Sequence, residues 1–378
     1  MRCPKCGKEN PDDAQVCSSC GLEVSKVPEV TDKIIPKISS LAIAAFLLGI
    51  ISFFTFGLTI IPAIILGIIS IVIIEKSGGR VTGRGFAITG ILIAVLVFLI
   101  NFVPLFRMVK RIEFQMICGA NLEGIGKAMQ IYANDYDGEF PRSGGKIWTG
   151  YIHGSGVKYS VWARHIPDWR AKDRYGAYNV SPDGTGGVSN ISSCFYLLVK
   201  YAGVSPESFI CQGDTGATEF KPSDEGVSDH ELVDFWDFGP EPSKHCSYSY
   251  HMPFNQYALT TASDPGMAVA ADRNPWIDSP GAEAKQWPLF VNIVLITKEE
   301  TRALNAITHQ EDGQNVLFVD GHVNFERKPF CSVNDDNIYT FWNGADIRRG
   351  GRPWTTSTPQ RRSAPHNRLD SLLVHDGP

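Results

Sequence analysis

The sequence predicts a multidomain chain: a small cysteine-stapled module, a helical membrane segment, and an α+β domain in which one long helix covers an antiparallel sheet. Three observations predict it. Four cysteines form two C-x2-C pairs within the first 20 residues, no charge occurs between Leu41 and Ile74, and every Trp and Tyr lies beyond residue 130. At a soft prior of ~150 residues per domain, a chain of 378 residues holds more than one. A net charge of −5 with pI ≈ 6.0 lacks the basic excess of nucleic-acid-binding chains, so no nucleic-acid partner is expected. With 43% hydrophobic and 20% charged residues, the chain as a whole is not disordered.

The first module, residues 1–24, contains Cys3-Pro-Lys-Cys6-Gly7 and Cys17-Ser-Ser-Cys20-Gly21. Each pair turns two sulfurs toward one point, and the following glycine supplies backbone freedom. Four converging thiolates make a closed tetrahedral site for structural Zn2+, with Cys3, Cys6, Cys17 and Cys20 as ligands and no open position for a substrate water. The alternative is two local disulfides or unpaired thiols. So short a segment buries no core, and metal binding would supply most of its folding free energy. The module resembles the zinc ribbons at the N-terminus of many bacterial membrane proteins, which implies an interaction or structural role. Thiolates persist where the compartment is reducing, which places this end in the cytosol. The first apolar run begins near Ile38, too late for a cleavable leader. Residues 25–37 read as a mixed-charge linker.

Residues 38–106 read as the transmembrane domain. The 34 uncharged positions from Leu41 to Ile74 would extend ~51 Å as one helix, against a hydrocarbon core of ~30 Å. Gly57 and Pro62 fall near the middle, so a helical hairpin of two short spans, about 38–56 and 59–75, is expected. Gly85 to Phe106 is a further uncharged run of 22 residues, long enough for one span. Lys and Arg counts do not separate two spans from three; segment length favours three. The loop Lys76-Ser-Gly-Gly-Arg80-Val-Thr-Gly-Arg84-Gly85 has Gly78 and Gly83 at Walker spacing, but Arg84-Gly85 replaces the Lys-Ser/Thr that reaches phosphates, so it reads as a cytosolic turn. Pro62 to Gly67, this loop and Phe86-Ala-Ile-Thr-Gly90 together resemble a bacterial membrane domain of unknown function often found after a zinc ribbon. That resemblance implies membrane location and no activity.

Residues 107–345 read as the α+β domain. Cys118, Leu122, Ile125, Met129, Tyr132 and Tyr136 fall at alternating spacings of about 4 and 3, one apolar stripe on a helix. Asp137-Gly138 ends it and Pro141 prevents its return; the helix is expected to continue from the third span. Residues 266–271 and 290–296 read as buried strands. Asn315 to Val319 and His322 to Phe325, joined by Asp320-Gly321, read as a hairpin with a type I′ turn.

Asn121-Leu122, Ile125-Gly126, Tyr132, Asp135, Gly138, Phe140-Pro141, Phe209-Ile-Cys211, Asp214, Ser247-Tyr-Ser-Tyr250, Ala271-Asp-Arg-Asn-Pro275, His309 and Gly313 to Val323 resemble, in order, the motifs of a prepilin-like bacterial family of unknown function. The resemblance implies a pilin-like fold, akin to the pseudopilins of type II secretion, with the globular part outside the cytoplasmic membrane. The departure is at the front: relatives begin with a single cleaved leader and carry a Glu in the apolar helix, which the run 85–106 lacks. Permanent anchoring, not polymerisation, is the expectation.

No G-x-S-x-G, H-E-x-x-H or paired S-x-x-K motif occurs, so no enzyme is expected. His309, Asp320 and His322 are candidates for metal or proton chemistry, weighed against ordinary hairpin polarity. Asp312, Asp335 and Asp336 are weak Ca2+ candidates without an EF-hand pattern. Among Cys118, Cys194, Cys211, Cys246 and Cys331, at most two bridges form, with Cys211–Cys246 the first choice and buried reduced thiols the alternative. Trp148, Trp162, Trp169, Trp236 and Trp354 are read as covering a loop-rich domain, with stacking on sugars or partners the alternative. Residues 346–378, rich in Arg, Pro, Ser and Gly, read as a disordered tail. The whole is expected to be a multi-pass inner-membrane protein with a cytoplasmic N-terminus and an extracytoplasmic C-terminal domain. Its partners would be the lipid bilayer, unidentified proteins and further copies of itself as a homo-oligomer, in envelope assembly, secretion or scaffolding. The alternative is a ligand sensor signalling through the ribbon.

Overall fold

The structure, a computed structural model, describes residues 1–23, 36–55, 57–146, 160–286, 298–344, 346–353 and 364–378. The chain divides into two compact units, Met1–Arg107 and Met108–Pro378. Most of the expected linker, the strand expected at 290–296, Trp148 and Trp354 lie outside the described residues.

In the first unit, helix α1 (Ser40–Phe54) follows an N-cap in which the Ser39 hydroxyl accepts from Ala42 N, satisfying one of the four orphan amides of the first turn. Helix α2 (Ile60–Lys76) comes next, and the 52-residue α3 (Arg84–Asp135) belongs to this unit as far as Arg107. The inner faces are built of small residues: Ala42, Ala45, Gly49 and Ser52 on α1, and Ala63, Gly67 and Ser70 on α2. Ala87, Ala94 and Val97 bury the matching face of α3. Backbones approach closely there. A Cβ on Gly90 would stand 2.8 Å from the Ala45 carbonyl carbon, and one on Gly49 2.7 Å from Gly90 O. Large apolar side chains face outward instead, including Phe54, Leu58, Ile61, Leu92 and Phe106, the reverse of a water-soluble helix cluster. With 15 and 17 residues, α1 and α2 are ~22 and ~25 Å long, short of a ~30 Å hydrocarbon core. Among the described residues, α3 is the one helix long and apolar enough to cross a bilayer.

In the second unit, strands β1 (Tyr248–His251), β2 (Ala268–Asp272), β3 (Gln314–Phe318), β4 (Val323–Glu326) and β5 (Leu373–Val374) form one antiparallel sheet in the order β4-β3-β2-β1-β5. The C-terminal part of α3 packs on it through the stripe read from the sequence: Cys118, Leu122, Ile125, Met129 and Tyr132 are buried, while Tyr136 is half-buried. Gly126 lets the helix close on the sheet, since a Cβ there would meet Leu317 Cδ1 at 2.6 Å. The helix ends as expected, with Asp137 and Gly138 both at positive φ and Gly138 N bonded to Ala133 O at 2.8 Å, a Gly-assisted stop. Helix α4 (Ile191–Ala202) is capped by Asn190, whose side chain accepts from Ser193 N. It adds Phe195 and Tyr196 to a fully buried aromatic cluster with Phe209, Phe220 and Phe238.

Three expectations need correction. The β3–β4 hairpin is present, but its turn is not type I′. Gly321 N bonds Phe318 O at 2.9 Å and Phe318 N bonds His322 O at 3.0 Å, while Gly321 has φ 88 and neither Val319 nor Asp320 takes a positive φ. This is a type I turn closed by a glycine bulge, a geometry Asp-Gly serves equally well. The tail expected to be disordered is ordered over 364–378 as far as it is described: Leu372, Leu373 and Val374 are fully buried and β5 extends the sheet. Its acids hold it. The Asp370 carboxylate accepts from Trp342 N at 3.0 Å, Asp336 Oδ2 accepts from Ser371 N at 2.6 Å, and Asp376 accepts from Ile191 N and Ser192 N, the first amides of α4. A carboxylate at a helix N-terminus is doubly favoured, by orphan amides and by the helix dipole. The average composition of the tail conceals this short apolar run. Finally, the bridge is Cys118–Cys211, not Cys211–Cys246. Cys118 lies on the buried stripe of α3 and meets Cys211 just past the turn Pro206–Phe209, whereas Cys246 precedes β1 and its thiol lies 3.7 Å from Tyr248 O.

Candidate metal centres

The ribbon is one hairpin built twice, with an offset of 14 residues. Gly7 N bonds Cys3 O at 2.9 Å and Gly21 N bonds Cys17 O at 3.0 Å. Cys3 N bonds Lys8 O and Cys17 N bonds Leu22 O, while the bridges Arg2↔Glu9 and Val16↔Glu23 close each copy. Gly7 and Gly21, at φ 74 and 72, let the chain turn under each pair. The Cys3 and Cys20 sulfurs stand 3.6 Å apart, as do those of Cys6 and Cys17, and all four lie within 4.8 Å of one another. Two sulfurs each ~2.3 Å from a tetrahedral ion would be ~3.8 Å apart. The four thiols are unbridged, and the site holds structural Zn2+.

The buried Asn10 supports the cage. Its Nδ2 lies 3.6 Å from Cys17 Sγ and its Oδ1 accepts from Ser18 N at 3.0 Å. Chiefly through the Ser19 N–H, Cys17 is pulled down to about 6. Cys6 receives the Lys8 N–H, which favours its thiolate, but the neighbouring Cys17 and Cys20 outweigh it and push Cys6 up to about 12. Four sulfurs this close cannot all ionise without a cation among them.

The remaining candidates separate. His309 is buried, while Asp320 and His322 pair with each other at the exposed tip of the β3–β4 hairpin, His322 stacking on Phe318; His309 and His322 are not brought together. Asp312 bonds Arg111 and Arg302, Asp335 is exposed and Asp336 is buried against Ser371. Among the described residues, none of the three joins a group able to hold a metal ion. Trp162 and Trp236 are buried and Trp169 half-buried, their indoles serving the interior. Cys194 and Cys246 are buried free thiols, each pushed up to about 12 by burial, which leaves them unreactive.

What sequence reasoning missed is the company of His309. Its Nε2 lies 3.6 Å from Cys211 Sγ, 3.2 Å from Asp272 Oδ2 and 3.2 Å from Asn315 Nδ2. Burial alone would lower His309, but the Asp272 carboxylate reverses this and the net direction is upward. Cys118, Cys211, Asp272 and His309 come from α3, the segment after Phe209, the end of β2 and the approach to β3. Only the finished fold unites them, and no short spacing in the sequence marks the group. A separate cleft of about 430 Å³ includes Tyr132, Tyr136, Arg142, Lys146, Arg174 and Tyr175 in its lining.

A family model described as a zinc-ribbon domain matches residues 2–24. No curated protein and no solved structure matches the chain.

Proposed function

We propose that the protein is an integral inner-membrane adaptor: a cytosolic zinc ribbon, a membrane segment, and an extracytoplasmic pilin-like domain that works through protein contacts in envelope assembly, secretion or scaffolding. One observation carries the reading. A thiolate zinc site, a 52-residue helix whose first half is apolar, and a sheet unit stapled by a disulfide follow one another in a single chain. Thiolates and disulfides persist in opposite redox compartments, and a helix of this kind is what joins such compartments. The small-residue inner faces and large apolar outer faces of α1, α2 and α3 suit a cluster surrounded by lipid. Site-specific photocrosslinking in native membranes, from probes on the second unit, is expected to capture envelope proteins. Crosslinks confined to soluble cytosolic proteins would contradict it.

The cleft favours a second reading, a sensor. Three tyrosines beside Arg142, Lys146 and Arg174 suit an anionic or sugar-bearing ligand. This reading expects Cys17→Ser to abolish capture of a cytosolic partner while leaving membrane insertion unchanged; equal capture by both proteins removes it.

A further inference from the structure

A disulfide is uncharged and asks nothing of its neighbours. The Cys118–Cys211 bridge nevertheless lies against an imidazole and a carboxylate, all four residues buried. Burying such a pair is costly unless the partners are paired and their remaining polar atoms hydrogen-bonded. Asp272 accepts from Asn315 N at 2.6 Å through Oδ2, but its Oδ1 is buried with no hydrogen-bond partner.

We propose that Cys118, Cys211, Asp272 and His309 form a second divalent-metal site, of the Zn2+ type, when the bridge between the two cysteines is reduced. One ligand atom from each residue lies within 4.8 Å of the other three. Around a tetrahedral zinc ion, a sulfur and an imidazole nitrogen stand ~3.6 Å apart, and a nitrogen and a carboxylate oxygen ~3.3 Å. The observed separations are 3.6 Å for Cys211 Sγ to His309 Nε2 and 3.2 Å for His309 Nε2 to Asp272 Oδ2. The sulfur pair opens from a covalent bond to ~3.8 Å. Asn315 N donates to Asp272 Oδ2 and holds that carboxylate as an outer-shell partner does, while the Asn315 Nδ2 contact to His309 Nε2 gives way when this nitrogen takes the ion.

The exchange balances with a dithiol as reductant. The S–S bond breaks, the dithiol gives two electrons and two protons to the sulfurs of Cys118 and Cys211, and itself closes to a disulfide. The divalent ion then displaces those two protons to solvent, the Nε2 proton that His309 shares with Asp272 moves to Nδ1 or to solvent, and the ion takes two thiolates, the neutral imidazole and the carboxylate. Two soft sulfurs with one nitrogen and one oxygen favour Zn2+ over Mg2+ or Ca2+.

The test uses the full-length protein in detergent, equilibrated with Zn2+ and desalted with or without dithiothreitol. Bound zinc and free thiols are counted on the same samples. The expected result is one zinc per chain when oxidised and two when reduced, returning to one in reduced His309→Gln and Asp272→Asn. The other free thiols are present in both states, so they cannot produce the difference. In Co2+-loaded reduced protein, the second ion should add a weaker thiolate charge-transfer band than the four-cysteine site. One zinc per chain with both bridge cysteines counted as free would overturn the proposal. So would a bridge that cannot be reduced while the unit stays folded, or a second ion retained by both variants. The comparison of oxidised with reduced wild-type protein needs no variant to fold, and none of it depends on membrane topology.

Discussion

Asp336 shows what one buried proton does to this chain. Burial, and then the neighbouring Asp370 carboxylate, push Asp336 up to about 8, whereas an unfolded aspartate titrates near ~3.9. The folded chain therefore holds a proton that the unfolded chain has lost. The associated stability is whole below pH ~4 and disappears as pH rises through 8. Burial also pushes Asp237 up to about 7 and moves His251 down to about 4. His251 acts in the opposite direction, its contribution being lost as pH falls from ~6.5 toward 4. Between about pH 7 and 8 His251 is neutral in both states, and Asp336 sets most of the slope, the raised His309 adding to it in the same direction. Melting curves of the second unit should show a loss of about 1 kcal/mol across that interval, and Asp336→Asn should flatten it. An unchanged slope in the variant would remove Asp336 as its source. In the ribbon, Cys17→Ser should take bound zinc from one ion per chain to none, and Asn10→Ala should weaken zinc by roughly 10-fold or more, both read by competition with a chromogenic chelator. The cysteine ligands were legible because their spacing is local. The partners of His309 were not, because Cys118, Cys211 and Asp272 reach it only through the tertiary fold.

At the scale of elements, periodicity carried most of the information. The stripe from Cys118 to Tyr132 specified which face of α3 meets the sheet, and Asp137-Gly138 specified where the helix stops. The β3–β4 hairpin was equally plain, though Asp-Gly serves two turn geometries and only the hydrogen bonds between Phe318 and His322 distinguish them. The final strand was hidden because two residues, Leu373 and Val374, make it, and no periodicity can be read in two. Packing among α1, α2 and α3 rests on glycine. Gly90→Leu would place its Cβ 2.8 Å from the backbone of Ala45, an overpacking worth roughly 1–3 kcal/mol. Thermal aggregation in detergent should begin earlier for Gly90→Leu than for Gly85→Leu, where a Cβ would meet nothing within 4 Å. Equal behaviour of the two variants would show that the close approach is not needed.

For the whole molecule, the order of parts matters more than any one of them. The sequence announces a metal module, an apolar stretch and an aromatic-rich domain, because composition changes sharply along the chain. It understates how far the last part extends, since the C-terminal residues close the sheet and cap α4. We propose that the zinc site and the Cys118–Cys211 bridge occupy compartments of opposite redox poise, joined by α3. Differential alkylation tests it most directly: cells are quenched with an alkylating reagent at harvest, zinc is then chelated, newly freed thiols receive a second label, and peptides are mapped without reduction. The account predicts Cys118 linked to Cys211, and Cys3, Cys6, Cys17 and Cys20 all carrying label with no disulfide among them. Alkylated, unlinked Cys118 and Cys211 in a chain whose ribbon is intact would contradict it, placing both units on one reducing side.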